Sequence, residues 1–212
     1  YDAFLMAMLY PAMYHNEDIE IDGAISRKLF VNVNHYIQEA KHTFDNQLHV
    51  VSVTASQFHN ASKNQDLHVG VGFGAGIDSF CSLNDHFFDP IDEENKVDTL
   101  CFFLVDNYGD PLDITSKVRA YNFYKNTKDV AAELNINACL VDGTSMFKFH
   151  PVPYSRISSE SDARIYINGF WARIACALSL QKALKKFIIS SSSSYRDSLY
   201  YHSKMYTEGV LW

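Results

Sequence analysis

The segment Val69-Gly70-Val71-Gly72-Phe73-Gly74-Ala75-Gly76-Ile77-Asp78-Ser79 carries the residue types in this chain best suited to chemistry. Glycines at 72, 74 and 76 let the backbone approach an anion without interference from β-carbons, and successive amides in such a turn form an anion-binding concavity. The following run, Phe80 to Phe88, reads as a helix whose first amides point at the same anion. Phosphate is the ligand these types suit. A glycine turn between strand and helix also serves tight packing with no ligand, and both readings stand on the residues alone. No Gly-Lys-Ser/Thr follows, so the Walker pattern is absent, and the spacing does not fit the dinucleotide fingerprint.

The elements that must position this segment are legible from periodicity. From Leu67 onward the chain predicts a strand over 67–73, a helix from about 79, a strand over 99–105, a helix over 114–134 and a strand over 138–141. Near-continuous apolar strands separated by helices predict a parallel sheet covered on both faces, hence an α/β fold. Asp113 is expected to cap the second of these helices and Asn135 to stop it. A long helix is expected over 162–185, with Leu184 on its apolar side, followed by a short strand, Phe187-Ile188-Ile189. The serine run 190–194 reads either as a linker or as a ligand-facing loop.

Residues 1–65 read as an N-terminal α+β appendage to a domain spanning 66–212. There an apolar block over 2–14, closed by Pro11 and the polar run after it, precedes a strand, Ile19-Glu20-Ile21-Asp22. Ser26 is expected to cap a helix from Arg27 to Phe44, and a second strand is expected over 49–55.

Composition narrows the classes. A chain of 212 residues with 47% hydrophobic content can bury one substantial core. A net charge of -7 argues against an extended nucleic-acid surface. The cysteines, at 81, 101, 139 and 176, are far apart in sequence within apolar runs and read as small buried hydrophobes of a reducing compartment. The run Ala3–Tyr10 is too short to span a bilayer and lacks a basic leader, so no membrane partner and a cytoplasmic location are expected. The 14% aromatic content leaves room for an apolar interface in a homo-oligomer.

Gly74-Ala75-Gly76-Ile77-Asp78-Ser79 resembles the Ser-Gly-Gly-x-Asp-Ser signature of the PP-loop ATP pyrophosphatases. Gly76, Asp78 and Ser79 stand where that pattern wants them, while Gly74 replaces its first serine and Ala75 a glycine. The element order over about 67–200 is similar to the adenine nucleotide hydrolase-like (HUP, Rossmann-like) fold that houses this superfamily. Within it the chain looks most like the 7-cyano-7-deazaguanine synthases, which activate a carboxylate with ATP. It departs from them in lacking their zinc cysteines, in separating Arg164 from Asn168 where they have an adjacent Arg-Asn pair, and in carrying Ser190 where glycine is common.

The resemblance implies ATP and Mg²⁺ as cofactors. It implies attack by a substrate oxygen on the α-phosphorus, with release of pyrophosphate and AMP in a ligase or amidotransfer-like step. Charge growing on the leaving pyrophosphate calls for amides, cations and metal directed at it. Phe73, Gly74, Ala75, Gly76 and Ile77 form the expected loop, Ser79 offers a hydroxyl, and Asp78 contacts the metal, anchors the loop or caps the helix. Arg156 and Arg164 are the expected catalytic cations, and Asp106, Ser190 and Ser191 complete the expected nucleotide contacts at strand ends. The small-molecule substrate is left unidentified, with selection expected from residues 144–165. A non-catalytic adenine-nucleotide-binding module and a partner-binding scaffold are the competing expectations.

Overall fold

The computed structural model describes residues 1–44, 46–60, 66–90, 92–105, 113–149 and 163–190, except for the side chains of 44, 147 and 163–170. The chain forms two compact units, each discontinuous in sequence: one from 1–61, 149–175 and 193–212, the other from 62–148 and 176–192.

In the first unit, helix α1 (Asp2–His15) buries Leu5, Met6, Leu9, Tyr10 and Met13. It covers the expected apolar block over 2–14 and continues past Pro11, which lies inside the helix. A proline removes one backbone donor, and here this many buried apolar side chains outweigh that loss. Asn16 closes the helix in the left-handed conformation at φ 58°, its amide donating to Ala12 O.

Strands β1 (Ile19–Ser26) and β2 (Val53–His59) pair in parallel, from Ile19 with Val53 to Ser26 with His59. They are joined by α2 (Arg27–Asn32), a π-helical turn (Val33–Ile37) and α3 (Gln38–Phe44). Ser26 caps α2 as expected, its Oγ accepting from the Leu29 amide at 3.4 Å. The second strand starts four residues later than the expected 49–55, for a specific reason. The buried Gln38 side chain holds both polar groups of Val51, accepting from its amide at 2.8 Å and donating to its carbonyl at 3.1 Å. With those groups taken, strand pairing begins at Val53.

The second unit holds a four-stranded, all-parallel sheet of β3 (His68–Gly72), β4 (Thr99–Leu104), β5 (Asn137–Asp142) and β6 (Leu184–Ile188), in the order β5-β4-β3-β6. Helix α4 (Ile77–Leu83) follows β3 and continues into a π-helical turn (Asn84–Phe88). Helix α5 (Ile114–Glu133) joins β4 to β5. Val69, Val71, Phe73, Leu83, Val97, Leu100 and Ala131 form one core cluster and Phe102, Leu104 and Ala120 a second. Each of the buried Val, Leu and Phe side chains contributes about 1.5–3 kcal/mol. The mixed α/β architecture with parallel sheets flanked by helices therefore stands as the sequence indicated.

Both ends of α5 match the sequence reading. Asp113 caps it, accepting from the Ser116 amide at 3.0 Å, and Asn135 just past its end adopts φ 54°. The last long helix is shorter than expected: α6 (Ala163–Ser179) ends before a tight turn in which Ala183 and Leu184 amides both donate to Leu180 O. Leu184 is thus a strand residue, pressed against the bare backbone of Gly70 rather than lining a helix.

The other face of the sheet explains part of the glycine pattern. A β-carbon at Gly70 would lie 2.9 Å from Leu184 Cδ1, 3.1 Å from Cys101 Sγ and 3.2 Å from Phe187 Cδ2. Phe103 and Phe187 stack on that face with ring centroids 5.1 Å apart. Glycine at 70 is required by packing alone.

Candidate nucleotide site

Because all four strands of the second unit run parallel, their carboxyl ends leave the sheet on one edge. The chain order reverses at β3, whose neighbours are the next strand in sequence, β4, and the last, β6. Open parallel sheets bind ligands outside the carboxyl ends of their strands at such a switch point. The segment leaving that position is Phe73 to Ser79. Val71 pairs with Ile188, so the segments that follow β3 and β6 leave the sheet at the same edge from neighbouring strands.

Local bonds shape the turn. The Phe73 amide donates to Cys101 O at 2.8 Å, and its carbonyl accepts from Thr127 Oγ1 of α5 at 3.2 Å. Thr127 is fully buried, and the sequence reading did not single it out. Its signal was a hydroxyl three residues from Tyr124 and from Val130, on the face of α5 that turns inward. The Phe73 ring packs edge-on to Phe80 at 5.1 Å, tying the turn to the first part of α4.

Ser79 Oγ accepts from the Gly74 amide at 3.2 Å. That bond occupies one amide expected to face a ligand, yet it leaves the Ser79 hydroxyl hydrogen free to donate outward. Ala75 takes φ 58°, a left-handed conformation that suits glycine and strains alanine. Gly76 is the N-cap of α4 and supplies no side-chain cap. Asp78 therefore is not the cap; it lies exposed in the first helical turn. The first-turn amides of a helix have no partner within it.

Gly76 offers the test of whether this turn suits a bound phosphate. Its φ of -88° is open to any residue, and a β-carbon there meets nothing within 4 Å. The bare backbone at 76 leaves room for close approach by a ligand, and glycine there also serves as the helix N-cap. Ser190 Oγ, at the end of the adjacent strand, is buried without a hydrogen-bond partner. An unpaired buried hydroxyl is costly, and a phosphate oxygen would satisfy it. These features suit a phosphate group, with the turn amides, Ser79 and Ser190 as the groups that would hold it. Asp78 suits Mg²⁺, an ion commonly bound through one or two carboxylates together with substrate phosphates. Among the described residues no three His, Cys, Asp or Glu side chains gather as a metal cage.

The remaining expected residues are divided. Arg164 sits in the first turn of α6, its side chain outside the described set, and belongs to the first unit. Asp106, Arg156 and Ser191 lie outside the described residues, as does most of the expected selectivity segment, of which 144–149 forms a 3₁₀ turn. No described helix is long and apolar enough to cross a membrane. Cys101 and Cys176 are buried as expected, whereas Cys81 is exposed; Cys101 and Cys139, far apart in sequence, meet with sulfurs 3.2 Å apart. Comparison of the chain with family models, with characterised proteins and with solved structures returns no match.

Proposed function

We propose that the second unit has an adenine nucleotide hydrolase-like fold that binds ATP with Mg²⁺ at the β3–α4 turn, and that the protein adenylates a small-molecule substrate with release of pyrophosphate and AMP. The observation that carries this reading is the position of the Phe73–Ser79 turn at the switch point of an all-parallel sheet, with Gly76 bare and facing open space. When bound, ATP supplies an electrophilic α-phosphorus and a pyrophosphate leaving group, and Mg²⁺ neutralises the charge that develops. The turn amides and the Ser79 hydroxyl hold phosphate oxygens, and Asp78 fixes the metal. Ile77, 81% exposed, and Phe80, 47% exposed, leave apolar surface beside the turn for an adenine ring.

A second reading, nucleotide binding without turnover, is favoured by one observation: the Gly74 amide is already held by Ser79 Oγ, and Gly74 has no hydroxyl to reach phosphate. Calorimetry with ATP–Mg²⁺ and with AMP, followed by incubation with a panel of carboxylic acids and separation of the phosphate products, distinguishes the two. Heat of binding with substrate-dependent pyrophosphate is expected, and Asp78→Ala abolishes the pyrophosphate without altering the unfolding curve. Heat without pyrophosphate under every condition selects the second reading. Silence with both nucleotides at millimolar concentration removes both.

A further inference from the structure

Cys101 and Cys139 are register partners at the middle of adjacent parallel strands, with both sulfurs on the same face. Neighbouring strands lie about 4.8 Å apart, which falls inside the Cα separation of about 4.4–6.8 Å that a disulfide spans. Their sulfurs are 3.2 Å apart and hydrogen-bonded; a covalent bond at about 2.0 Å requires only a small side-chain rotation. We propose that Cys101 and Cys139 form an oxidisable dithiol, a modification site at which peroxide converts two thiols into an intramolecular disulfide.

The two sulfurs are unequal, which assigns their roles. Cys101 is 1% exposed, whereas Cys139 is partly exposed. The hydrogen bond shared by the two thiols holds Cys139 below its ordinary pKa; the same bond, reinforced by burial, pushes Cys101 up. The first thiolate therefore forms at Cys139, the less buried residue of the two, and the Cys101 S–H becomes the donor to it. Thiolate character with access is what makes a cysteine oxidisable.

The Cys139 thiolate attacks one oxygen of hydrogen peroxide, breaking the O–O bond to give a sulfenic acid and hydroxide, which takes up the proton Cys139 released. The sulfur of Cys101 then attacks the sulfenic sulfur, and the departing hydroxide leaves as water with the Cys101 proton. Two thiols and one peroxide give one disulfide and two waters. Cys101 needs no solvent access, because its partner is already in contact. Neither other cysteine fits the role: Cys81 is exposed on α4, and Cys176 is buried in α6, where desolvation pushes its pKa up to about 12.

The test uses the full chain, reduced, treated with hydrogen peroxide, quenched, denatured and alkylated. Alkylatable thiols are expected to fall from the four of the reduced protein to two, with peptide mapping joining the Cys101 peptide to the Cys139 peptide and dithiothreitol restoring both. Cys139→Ser abolishes the linked peptide, whereas Cys81→Ser and Cys176→Ser leave it unchanged. The mapping of the unsubstituted protein is decisive even where a variant folds poorly. Peroxide that leaves both Cys101 and Cys139 alkylatable, or that links either to another cysteine, overturns the proposal.

Discussion

A β-carbon added to Gly70 would sit 2.9 Å from Leu184 Cδ1, whereas one added to Gly76 meets nothing within 4 Å. Gly70→Ala should overpack the sheet face and destabilise by about 1–2 kcal/mol. Gly76→Ala should cost no more than about 1 kcal/mol in urea unfolding, since φ -88° accepts alanine although alanine is the poorer N-cap, yet weaken nucleotide binding in calorimetry. Equal binding by both proteins would make Gly76 an incidental glycine. Ala75 is the reverse case, a side chain where the backbone asks for none. At φ 58° it carries left-handed strain of about 1–2 kcal/mol, partly offset in a glycine variant by the greater freedom of the unfolded chain. Ala75→Gly is expected to stabilise by about 0.5–1 kcal/mol in equilibrium denaturation. A loss of stability would show that the Ala75 methyl group, packed against the core, outweighs the strain.

At the scale of elements, α5 both supports the sheet and holds the turn. Thr127 donates from its buried interior to Phe73 O. Thr127→Val keeps the shape and strands that carbonyl, so a loss of about 1–2 kcal/mol is expected in thermal or urea unfolding; an unchanged midpoint would mean the turn does not depend on the helix. The start of α5 should respond to pH. Hydrogen bonds to the charged form, first from the Thr115 side chain and then from the Ser116 amide, hold the Asp113 carboxyl below its ordinary pKa. A depressed folded pKa contributes stability that is fully present above the unfolded value and is lost as pH falls through the folded value. Stability is therefore expected to decline at the acid end of the carboxylate range. Asp113→Asn, which keeps a capping acceptor without the charge, should flatten that part of the profile in urea titrations at stepped pH. An identical slope in the variant would assign the acid sensitivity elsewhere.

At the scale of the whole molecule, the second unit is completed by a strand that returns from far along the chain. Residues 62–148 supply β3, β4, β5, α4 and α5, but β3 has β6 from 184–188 as its other neighbour. A chain ending at Ser179 keeps the first three strands and loses the Leu184 and Phe187 contacts over Gly70. It is expected to lose the cooperative urea transition seen by far-UV circular dichroism. A transition with the parent midpoint would show that β6 is dispensable. The net charge of -7 acts at this scale too, repelling polyanions from the molecule as a whole while leaving local anion binding to the turn.

Local chemistry was legible wherever a residue acts on its neighbours in sequence. Ser26 and Asp113 as caps, Asn135 as a helix stop, the β3 to β5 strands and the glycine turn all follow from short-range rules of hydrogen bonding and apolar periodicity. What the tertiary structure decided depends on residues distant in the chain. Gln38 delays β2 by binding Val51, Leu184 joins a strand because Gly70 leaves room for it, and Thr127 reaches Phe73 across 54 positions. Strand order and register pair Cys101 with Cys139 and set the turn after β3 at the switch point. A periodic pattern reports which face of an element is apolar, but not which neighbour covers it, and the neighbour decides what a strand end or a thiol can meet.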